Sequence, residues 1–297
     1  MNKVLIICGP TAVGKTSLAL ELAKKFNGEL LSADSRQVYK GMDIITGKDL
    51  PKDGTKIYLT DLVFPNQDFN IAQWRKEALK VIEKLHSENK LPIVVGGTGF
   101  YIKALIGNIE TINIPQNKNL RKQLKGKTVL KLFEILTGIN PVKAAQMNQS
   151  DKNNPRRLVR AIEVAQSTHD NSPENLPDFE YLIIGLSAPL EVLLNKIDDR
   201  VVERVKSGAV NEVENLLKIG LSWDTQSMSA VGYKQFRDYF EKNSSLKEIV
   251  DRWKKAEHQY AKKQLTWFKK HKDINWFDVT DCDWKYKVEK LVQTWYN

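Results

Sequence analysis

Short apolar runs alternate with amphipathic segments along the first third of the chain. Val4–Cys8, Glu29–Ala33 and Leu91–Val95 have the length and the content of large apolar residues that predict buried strands of a parallel sheet. A further strand is predicted at Lys56–Val63. Asn70–Asn89 has apolar residues at helical spacing and predicts an amphipathic helix. This βα rhythm predicts an α/β fold in which helices flank a parallel sheet.

The alternation stops between Thr111 and about Asn175, where polar, helix-forming segments predominate. We therefore expect an inserted all-helical subdomain at 111–180 and a core formed by 1–110 and 181–297. An apolar strand at Tyr181–Leu186 restores the sheet, and the C-terminal region is mostly helical. His169, within the insertion, is isolated and receives no role.

The residues that follow the first strand match a phosphate-binding loop. Gly9–Thr16 fits G-x-x-x-x-G-K-[ST] at every fixed position, and a helix follows. Backbone N–H groups and a helix N-terminus attract phosphate, Lys15 adds a cation, and Thr16 can bind Mg²⁺. We therefore predict a di- or triphosphate site, although the loop alone does not specify the reaction. The predicted diphosphate-binding residues are Gly9, Pro10, Thr11, Ala12, Val13, Gly14, Lys15, Thr16 and Ser17.

Two further candidates follow predicted strands. Asp34 comes after the second strand, and Thr98 lies in a Gly-rich turn after Leu91–Val95. Residues just past the carboxyl ends of parallel strands face the ligand crevice, so both are expected near the phosphate loop. A purely structural role is the alternative for each of these two residues. Asp34 could serve only as a loop or capping residue, and Thr98 could cap the next helix.

Arginines occur at helical spacing in two places. Arg200 and Arg204 share one face of a predicted helix at Leu190–Lys206 and could neutralise a departing phosphate group. Their acidic neighbours in sequence leave an exposed, paired arrangement open. The arginines of 156–160 begin a second helix and form either a solvated face or a contact to nucleic-acid backbone.

Charge and composition narrow the class of protein. The net charge is +10, and between Arg252 and Lys272 eight Lys/Arg stand against one Glu, interleaved with aromatic residues. A basic stripe with aromatic residues is typical of RNA binding. The same segment predicts a long helix with a buried stripe. That stripe comprises Leu246, Ile249, Trp253, Tyr260, Gln264 and Trp267.

No apolar run has the roughly 20 residues of a membrane span. Cys8 and Cys282 show no metal-ligand spacing, and Cys8 lies in a predicted core strand. The chain enters its first strand at once, so no signal peptide is expected. We expect a cytoplasmic, monomeric protein without a membrane partner.

Together these motifs resemble the bacterial-type tRNA dimethylallyltransferase family, also called tRNA isopentenyltransferase, over nearly the whole chain. The matching stretches are Gly9–Thr16, Ser32–Tyr39, Gly41–Ile44, Val95–Tyr101, Arg156–Val164, Arg200–Arg204, Ala230–Gln235 and Tyr260–Phe268. The resemblance implies a P-loop NTPase-like fold. It also implies transfer of a dimethylallyl group from dimethylallyl diphosphate to N6 of the adenosine 3′ of the tRNA anticodon, with release of diphosphate.

The resemblance also implies roles for individual residues. Asp34 would be the general base with Thr98 beside it, while Lys15, Thr16 and Mg²⁺ would hold the diphosphate. Arg204, with Arg200, would assist departure of the diphosphate. The tRNA contacts implied are Asp34, Ser35, Arg36, Gln37, Thr98, Arg156, Arg157, Leu158, Val159, Arg160, Gly232, Tyr233, Lys234, Lys262, Lys263, Gln264, Trp267 and Lys269.

The chain departs from the family pattern in two places. It has Ile45–Lys48 (Ile-Thr-Gly-Lys) where Gly-Thr-Ala-Lys is usual. It has lysines at Lys262, Lys263 and Lys269, where arginine is more frequent at some positions. Lysine still pairs with phosphate but loses bidentate geometry.

Two other functions compete with group transfer to RNA. A small-molecule P-loop kinase with Asp34 as its base would explain the phosphate loop and Arg200/Arg204, but it leaves the basic C-terminal helix without a role. A nucleic-acid-binding NTPase switch would need a convincing second acidic Mg²⁺ site. Asp61 lacks both a clean apolar run before it and an acidic neighbour.

Overall fold

The structure is a computed structural model that describes residues 2–48, 54–107, 109–168, 177–241 and 244–297. Contacts divide the chain into a larger unit, Met1–Gly107 with Pro177–Asn297, and a smaller unit, Asn108–Leu176. The smaller unit begins and ends a few residues before the interval 111–180 that the sequence predicts. His169 lies outside the described residues.

A six-stranded parallel sheet organises the larger unit. Its strands are β1 (Lys3–Cys8), β2 (Gly28–Ser32), β3 (Ile57–Tyr58), β4 (Leu91–Gly96), β5 (Glu180–Ser187) and β6 (Asn275–Asp278). Their order across the sheet is β3-β2-β4-β1-β5-β6, and all the pairings are parallel. β1 therefore lies between β4 and β5. The carboxyl ends of β1, β2 and β4 meet at one edge, where such sheets bind ligands.

Helices of the described residues account for most of the remaining chain. They are α1 (Lys15–Lys25), α2 (Ile71–Ser87), α3 (Gly99–Ile106), α4 (Lys118–Leu124), α5 (Val129–Ile139), α6 (Pro141–Gln146), α7 (Gln149–Lys152), α8 (Pro155–Ala165), α9 (Leu190–Lys206), α10 (Ala209–Lys218), α11 (Tyr233–Glu241), α12 (Leu246–Phe268) and α13 (Trp284–Tyr296). Reciprocal capping boxes begin α2 at Asn70 and α12 at Ser245. None of the described helices combines the length and apolarity needed to cross a membrane.

The sheet is buried on both faces. Val4, Ile6 and Cys8 pack into one core, and Leu5 and Ile7 pack into the other. This division follows from the strand geometry, because successive side chains point to opposite faces. Burial on both sides explains why β1 is a continuous apolar run rather than an alternating one.

The regular secondary structure in the described residues of the smaller unit is all helical, and the unit has a core of its own. Helices α4 to α8 contribute Leu124, Leu132, Leu136, Ala144, Met147, Leu158, Ala161 and Ile162 to that core. Glu163 on α8 is also buried, and it accepts hydrogen bonds from Arg121 Nε and Nη2 at 2.6 and 2.8 Å. This ion pair ties α4 to α8.

The predicted strand at Lys56–Val63 is wrong in its length. Only Ile57–Tyr58 is a strand, because Leu59 and Asp61 have φ of 67° and 56° and turn the chain away from the sheet. Val63 then forms an isolated bridge with Tyr39. The other predicted strands agree with the structure to within about one residue at each end.

Candidate active site

A cavity of about 340 Å³ opens at the carboxyl edge of the sheet. The segments that follow β1 and β2 line it, with the end of β4, α9 and α12. It brings together many of the residues that the sequence predicts for the site. These are Thr11, Lys15, Thr16, Asp34, Ser35, Arg36, Gln37, Arg200, Arg204 and Gln264. Residues that are more than 200 positions apart in the sequence thus line the same cavity.

Lys15 is the cation of the phosphate loop. Its Nζ donates to the carbonyl of Pro10 at 2.6 Å, which folds the side chain over the loop. Burial and the nearby Arg200 lower the pKa of Lys15 to about 8, although Asp34 and Cys8 act in the opposite direction. An anion bound in the loop would favour the charged ammonium and raise this pKa again.

The rest of the loop offers backbone more than side chains. Val13 is buried, and the Ser17 hydroxyl donates to Glu21 at 3.5 Å. Thr16 lines the cavity. Among the described residues no group of three His, Cys, Asp or Glu could hold a metal ion. Mg²⁺ commonly takes one or two protein oxygens and completes its shell with substrate phosphates and water, and the Thr16 hydroxyl fits that mode of binding.

Asp34 and Thr98 lie together because β2 and β4 are neighbours. The Ser35 N–H donates to Thr98 Oγ1 at 3.1 Å, and the Thr98 N–H donates to the Ala33 carbonyl at 3.2 Å. Thr98 occupies the N-cap position of α3, as the capping interpretation predicts, but its side chain makes no capping hydrogen bond and faces Ser35 instead. Asp34 Oδ1 accepts from the Arg36 N–H at 2.8 Å, which fixes the carboxylate in the cavity wall.

Tyr260 is a site residue that the sequence assigns only to a buried stripe. It lines the cavity, and Asp34 and Thr98 lie near its hydroxyl. Burial, reinforced by Asp34, raises the pKa of Tyr260 well above its usual value, so this phenol stays protonated. Its position one turn before Gln264 on α12 is the only signal in the sequence.

The arginine pair of α9 faces the cavity. Arg200 Nη1 donates to Thr11 Oγ1 at 3.2 Å, and Arg204 lies 3.5 Å from the buried carboxylate of Glu257. A methyl group at Gly47 would come within 2.1 Å of Arg204 Nη2 and 2.4 Å of Arg200 Nη2. Both guanidinium groups therefore lie against the loop that contains Gly47. Arg204 is buried and both side chains line the cavity, so the alternative of an exposed arrangement is wrong.

That loop depends on Glu212, which the sequence does not single out. The Glu212 carboxylate accepts hydrogen bonds from the backbone N–H groups of Asp43, Ile44 and Ile45 at 2.7, 2.6 and 3.1 Å. It also accepts the Tyr233 hydroxyl at 2.5 Å. Four donors converge on one side chain. In the sequence, Glu212 reads as an ordinary surface acid of a helix.

The predicted RNA contacts of the larger unit fall into two groups. Lys234, Lys262, Lys263 and Lys269 are exposed, so they remain predictions. Gly232, Tyr233 and Gln264 are buried. The side chains of Tyr233 and Gln264 are hydrogen-bonded within the protein, which corrects their predicted RNA contacts, whereas the contact of Gly232, which has no side chain, stays a prediction. Tyr233 serves Glu212 instead. Trp267 packs against the turn at Gly99.

The predicted RNA contacts of the smaller unit have partners within that unit. Leu158 is fully buried in its core, so the predicted RNA contact of that side chain is also corrected. Arg160 Nη2 donates to the carbonyls of Thr111 and Ile114 at 2.7 and 2.8 Å. Arg157 pairs with Asp151. Arg156 and Val159 line a shallow cavity between α4 and α8.

Comparisons with known proteins agree with this geometry. Residues 37–271 match the model of the IPP transferase family. A tRNA dimethylallyltransferase of Acetivibrio thermocellus is 40% identical over 98% of this chain and 96% of its own length. A solved tRNA isopentenylpyrophosphate transferase of Bacillus halodurans is 36% identical, with a TM-score of 0.73 over 99% of this chain and 95% of that one. A eukaryotic dimethylallyltransferase, described as acting on tRNA, is 26% identical, with a TM-score of 0.83 over 98% and 78%.

Proposed function

The chain belongs to the IPP transferase family, and from that premise we propose that it is a tRNA dimethylallyltransferase. It transfers the dimethylallyl group of dimethylallyl diphosphate to N6 of the adenosine 3′ of the anticodon and releases diphosphate. The observation that carries this proposal is the shared cavity. Lys15, Arg200 and Arg204 bring positive charge to it, and Asp34 brings a carboxylate.

The cationic side chains of the cavity are suited to stabilising the diphosphate leaving group. When the C–O bond of the allyl diphosphate breaks, its electron pair stays on the diphosphate, and negative charge grows there. Lys15 and the two arginines are already positioned to stabilise that charge, so little reorganisation is needed during the reaction. Thr16 would hold a Mg²⁺ ion, which would supply further charge neutralisation to the diphosphate.

The Asp34 carboxylate is suited to the acceptor amine. An aromatic amine is a weak nucleophile, and its proton must leave as the new C–N bond forms. The Asp34 carboxylate accepts that proton, and the Arg36 N–H keeps the carboxylate oriented. Thr98 and Tyr260 border the place where the base enters. An adenosine in a single-stranded loop leaves its stack at modest cost.

The basic face of α12 supports an RNA partner. Lys262 and Lys263 are exposed on the helix that also supplies Tyr260 to the cavity. Phosphate contacts from lysines position RNA without reading its sequence. We further propose that the enzyme works as a monomer in the cytoplasm.

Label transfer tests this proposal against the kinase alternative. Purified protein is incubated with allyl-labelled dimethylallyl diphosphate and tRNA in the absence of ATP. We expect label in the tRNA, and digestion should place it on one adenosine. A requirement for ATP, or movement of its γ-phosphate to an acceptor, would establish the kinase instead.

Asp34→Ala is the matching variant. We expect it to abolish turnover while the Kd for tRNA stays within about threefold, because the proton acceptor is lost and the RNA surface is retained. If the variant loses its cooperative unfolding transition, Asp34 is structural and the proposed base is wrong.

A further inference from the structure

Gln264 joins the two turns that carry the chemistry. Its side-chain Oε1 accepts the backbone N–H of Thr11 in the phosphate loop at 3.0 Å. Its Nε2 donates to the carbonyl of Gly97, next to Thr98, at 2.9 Å. The donor and acceptor requirements of these backbone groups fix the orientation of the amide. Only 6% of Gln264 is exposed, so it is committed to these two partners.

The side chains of Gln264 and Trp267 pack closely against the Gly-rich turn. A methyl group on Gly97 would lie 2.2 Å from Gln264 Nε2, and one on Gly99 would lie 2.1 Å from the indole ring of Trp267. Gln264 and Trp267 are one turn apart on α12, so the helix contacts the Gly-rich turn at two successive points. A side chain at either glycine would displace the Gln264 amide or the Trp267 ring.

On the basis of the proposed function, we propose that Gln264 is a positioning residue that sets the phosphate loop at a fixed distance from the turn that carries Thr98. The loop holds the donor side of the reaction, and the turn borders the acceptor side. Adjacent strands already bring both turns to one edge, since Cys8 pairs with Gly96. The Gln264 amide adds a direct tie beyond the ends of those strands.

The hydrogen bonds of Gln264 matter for the reaction because they hold the donor and acceptor sides in register. Transfer requires the allylic carbon and the amine nitrogen to meet in line, and a displacement of about 1 Å can lower the rate about 100-fold. Each turn has its own strand and helix to hold it, so each substrate should still bind when the tie is cut. The expected signature is therefore a loss in kcat without an equal change in KM.

The test compares two glutamines of the same helix. Gln264→Met preserves length and removes both hydrogen bonds, and Gln259→Met makes the same change at an exposed position of α12. We expect kcat for label transfer to fall about 30- to 100-fold in Q264M, with both KM values within about threefold of wild type. Q259M should match wild type. An unchanged kcat in folded Q264M, or a rise in KM with kcat intact, would overturn the proposal.

If Q264M does not fold, Gln264→Glu replaces it under the same criteria. A carboxylate keeps an acceptor for the Thr11 N–H and loses the donor to Gly97, so the tie is still cut on one side. Thermal unfolding identifies which variant is used.

A second measurement does not depend on transfer at all. Inorganic diphosphate serves as the probe, and backbone hydrogen exchange is followed in residues 9–17 and 96–102. In wild type we expect diphosphate to slow exchange in both segments, because the tie transmits the restraint. In Q264M only residues 9–17 should respond. Equal responses in the two proteins would refute the tie, whereas a failure of wild type to transfer label would refute only the proposed function.

Discussion

Two helices of this chain carry arginines four residues apart, and their surroundings differ. On α9, Arg200 and Arg204 line the cavity of the larger unit. On α8, Arg160 donates to backbone carbonyls and to Glu163, all within the smaller unit. The spacing is the same, but the α9 pair faces a ligand-sized space, whereas in the α8 pair Arg160 braces its own fold and Arg156 lines a shallow cavity. A charged pair therefore acquires its role from what it faces.

Glu212 of the larger unit and Glu163 of the smaller unit, each of which accepts several hydrogen bonds, repeat this contrast. In the larger unit, Glu212 gathers three backbone N–H groups and a tyrosine hydroxyl, and it holds a loop beside the cavity. In the smaller unit, Glu163 gathers Arg121, Arg160 and the N–H of Asn117. The first organises a site, and the second organises a scaffold. The following predictions separate these two roles.

Replacing Arg204 in the cavity should have the largest effect on the single-turnover rate. Arg204→Gln removes a charge that faces the departing diphosphate, and we expect the single-turnover rate to fall about 10³-fold. Arg160→Gln, the matched change in the smaller unit, should leave that rate within about threefold once tRNA is saturating. Comparable losses in rate for both variants would erase the distinction between the two helices.

The two carboxylates should differ in what their loss affects. Glu163→Gln breaks a buried ion pair, and we expect the unfolding free energy to fall by about 3 kcal/mol at neutral pH. Glu212→Gln should lower label transfer about tenfold or more by loosening the loop beside Arg204. Denaturant unfolding and kinetics, measured on both variants, check the assignment. A purely catalytic effect of Glu163→Gln would contradict it.

The effect of Glu163 on stability should also depend on pH. Burial raises the pKa of Glu163, but hydrogen bonds from Arg121, Asn117 and Arg160 outweigh burial and leave the pKa below its ordinary value. The folded state therefore holds the proton less tightly than the unfolded state. The stabilisation that Glu163 gives to the folded state is present above the ordinary glutamate pKa. It is lost as the pH falls through the pKa of Glu163 in the folded state. The difference between wild type and Glu163→Gln should shrink in acid.

Donor binding should weaken in alkali through Lys15, whereas the arginines stay charged. The pKa of Lys15 is about 8 in the free protein, and a bound diphosphate would raise it. Binding then takes up a proton above pH 8, so affinity falls as the pH rises. Between pH 7.5 and 9.5 we expect the Kd for dimethylallyl diphosphate to rise about 25-fold by calorimetry. A Kd that is flat over this range would mean that Lys15 makes no charged contact.

The smallest effect is expected on the outer face of α12. Lys262→Glu with Lys263→Glu should lower the slope of log K against log salt for tRNA binding by about 1.5, because two phosphate contacts are lost. Lys290→Glu on α13, which changes another lysine of the larger unit, provides the control. An unchanged slope would remove this face of α12 from the RNA surface.

The sequence predicts the sheet and the phosphate loop well because their signals are local. A continuous apolar run such as Val4–Cys8 can be satisfied only by burial on both faces, and the loop pattern is contiguous. The placement of Asp34 also follows, since strand ends gather at one edge. The sequence predicts too long a β3 because left-handed backbone at Leu59 and Asp61 has no clear sequence signal.

The residues that the sequence missed or misassigned share a different property. Glu212, Tyr260 and Gln264 act through partners far along the chain, and nothing in their own neighbourhoods identifies those partners. Gln264 lies among exposed lysines, so it reads as one more surface contact. Its burial is decided by the angle at which α12 meets the turn after β4, which only the folded structure supplies.

The position of β1 in the middle of the sheet has a consequence for synthesis of the protein. β1 is synthesised long before its neighbour β5, and the phosphate loop beside it is not tied until Gln264 arrives, 253 residues after Thr11. At about 5–20 residues per second, that interval is on the order of 10–50 s. A nascent or truncated chain therefore displays the most recognisable motif of the molecule long before that motif can take part in catalysis.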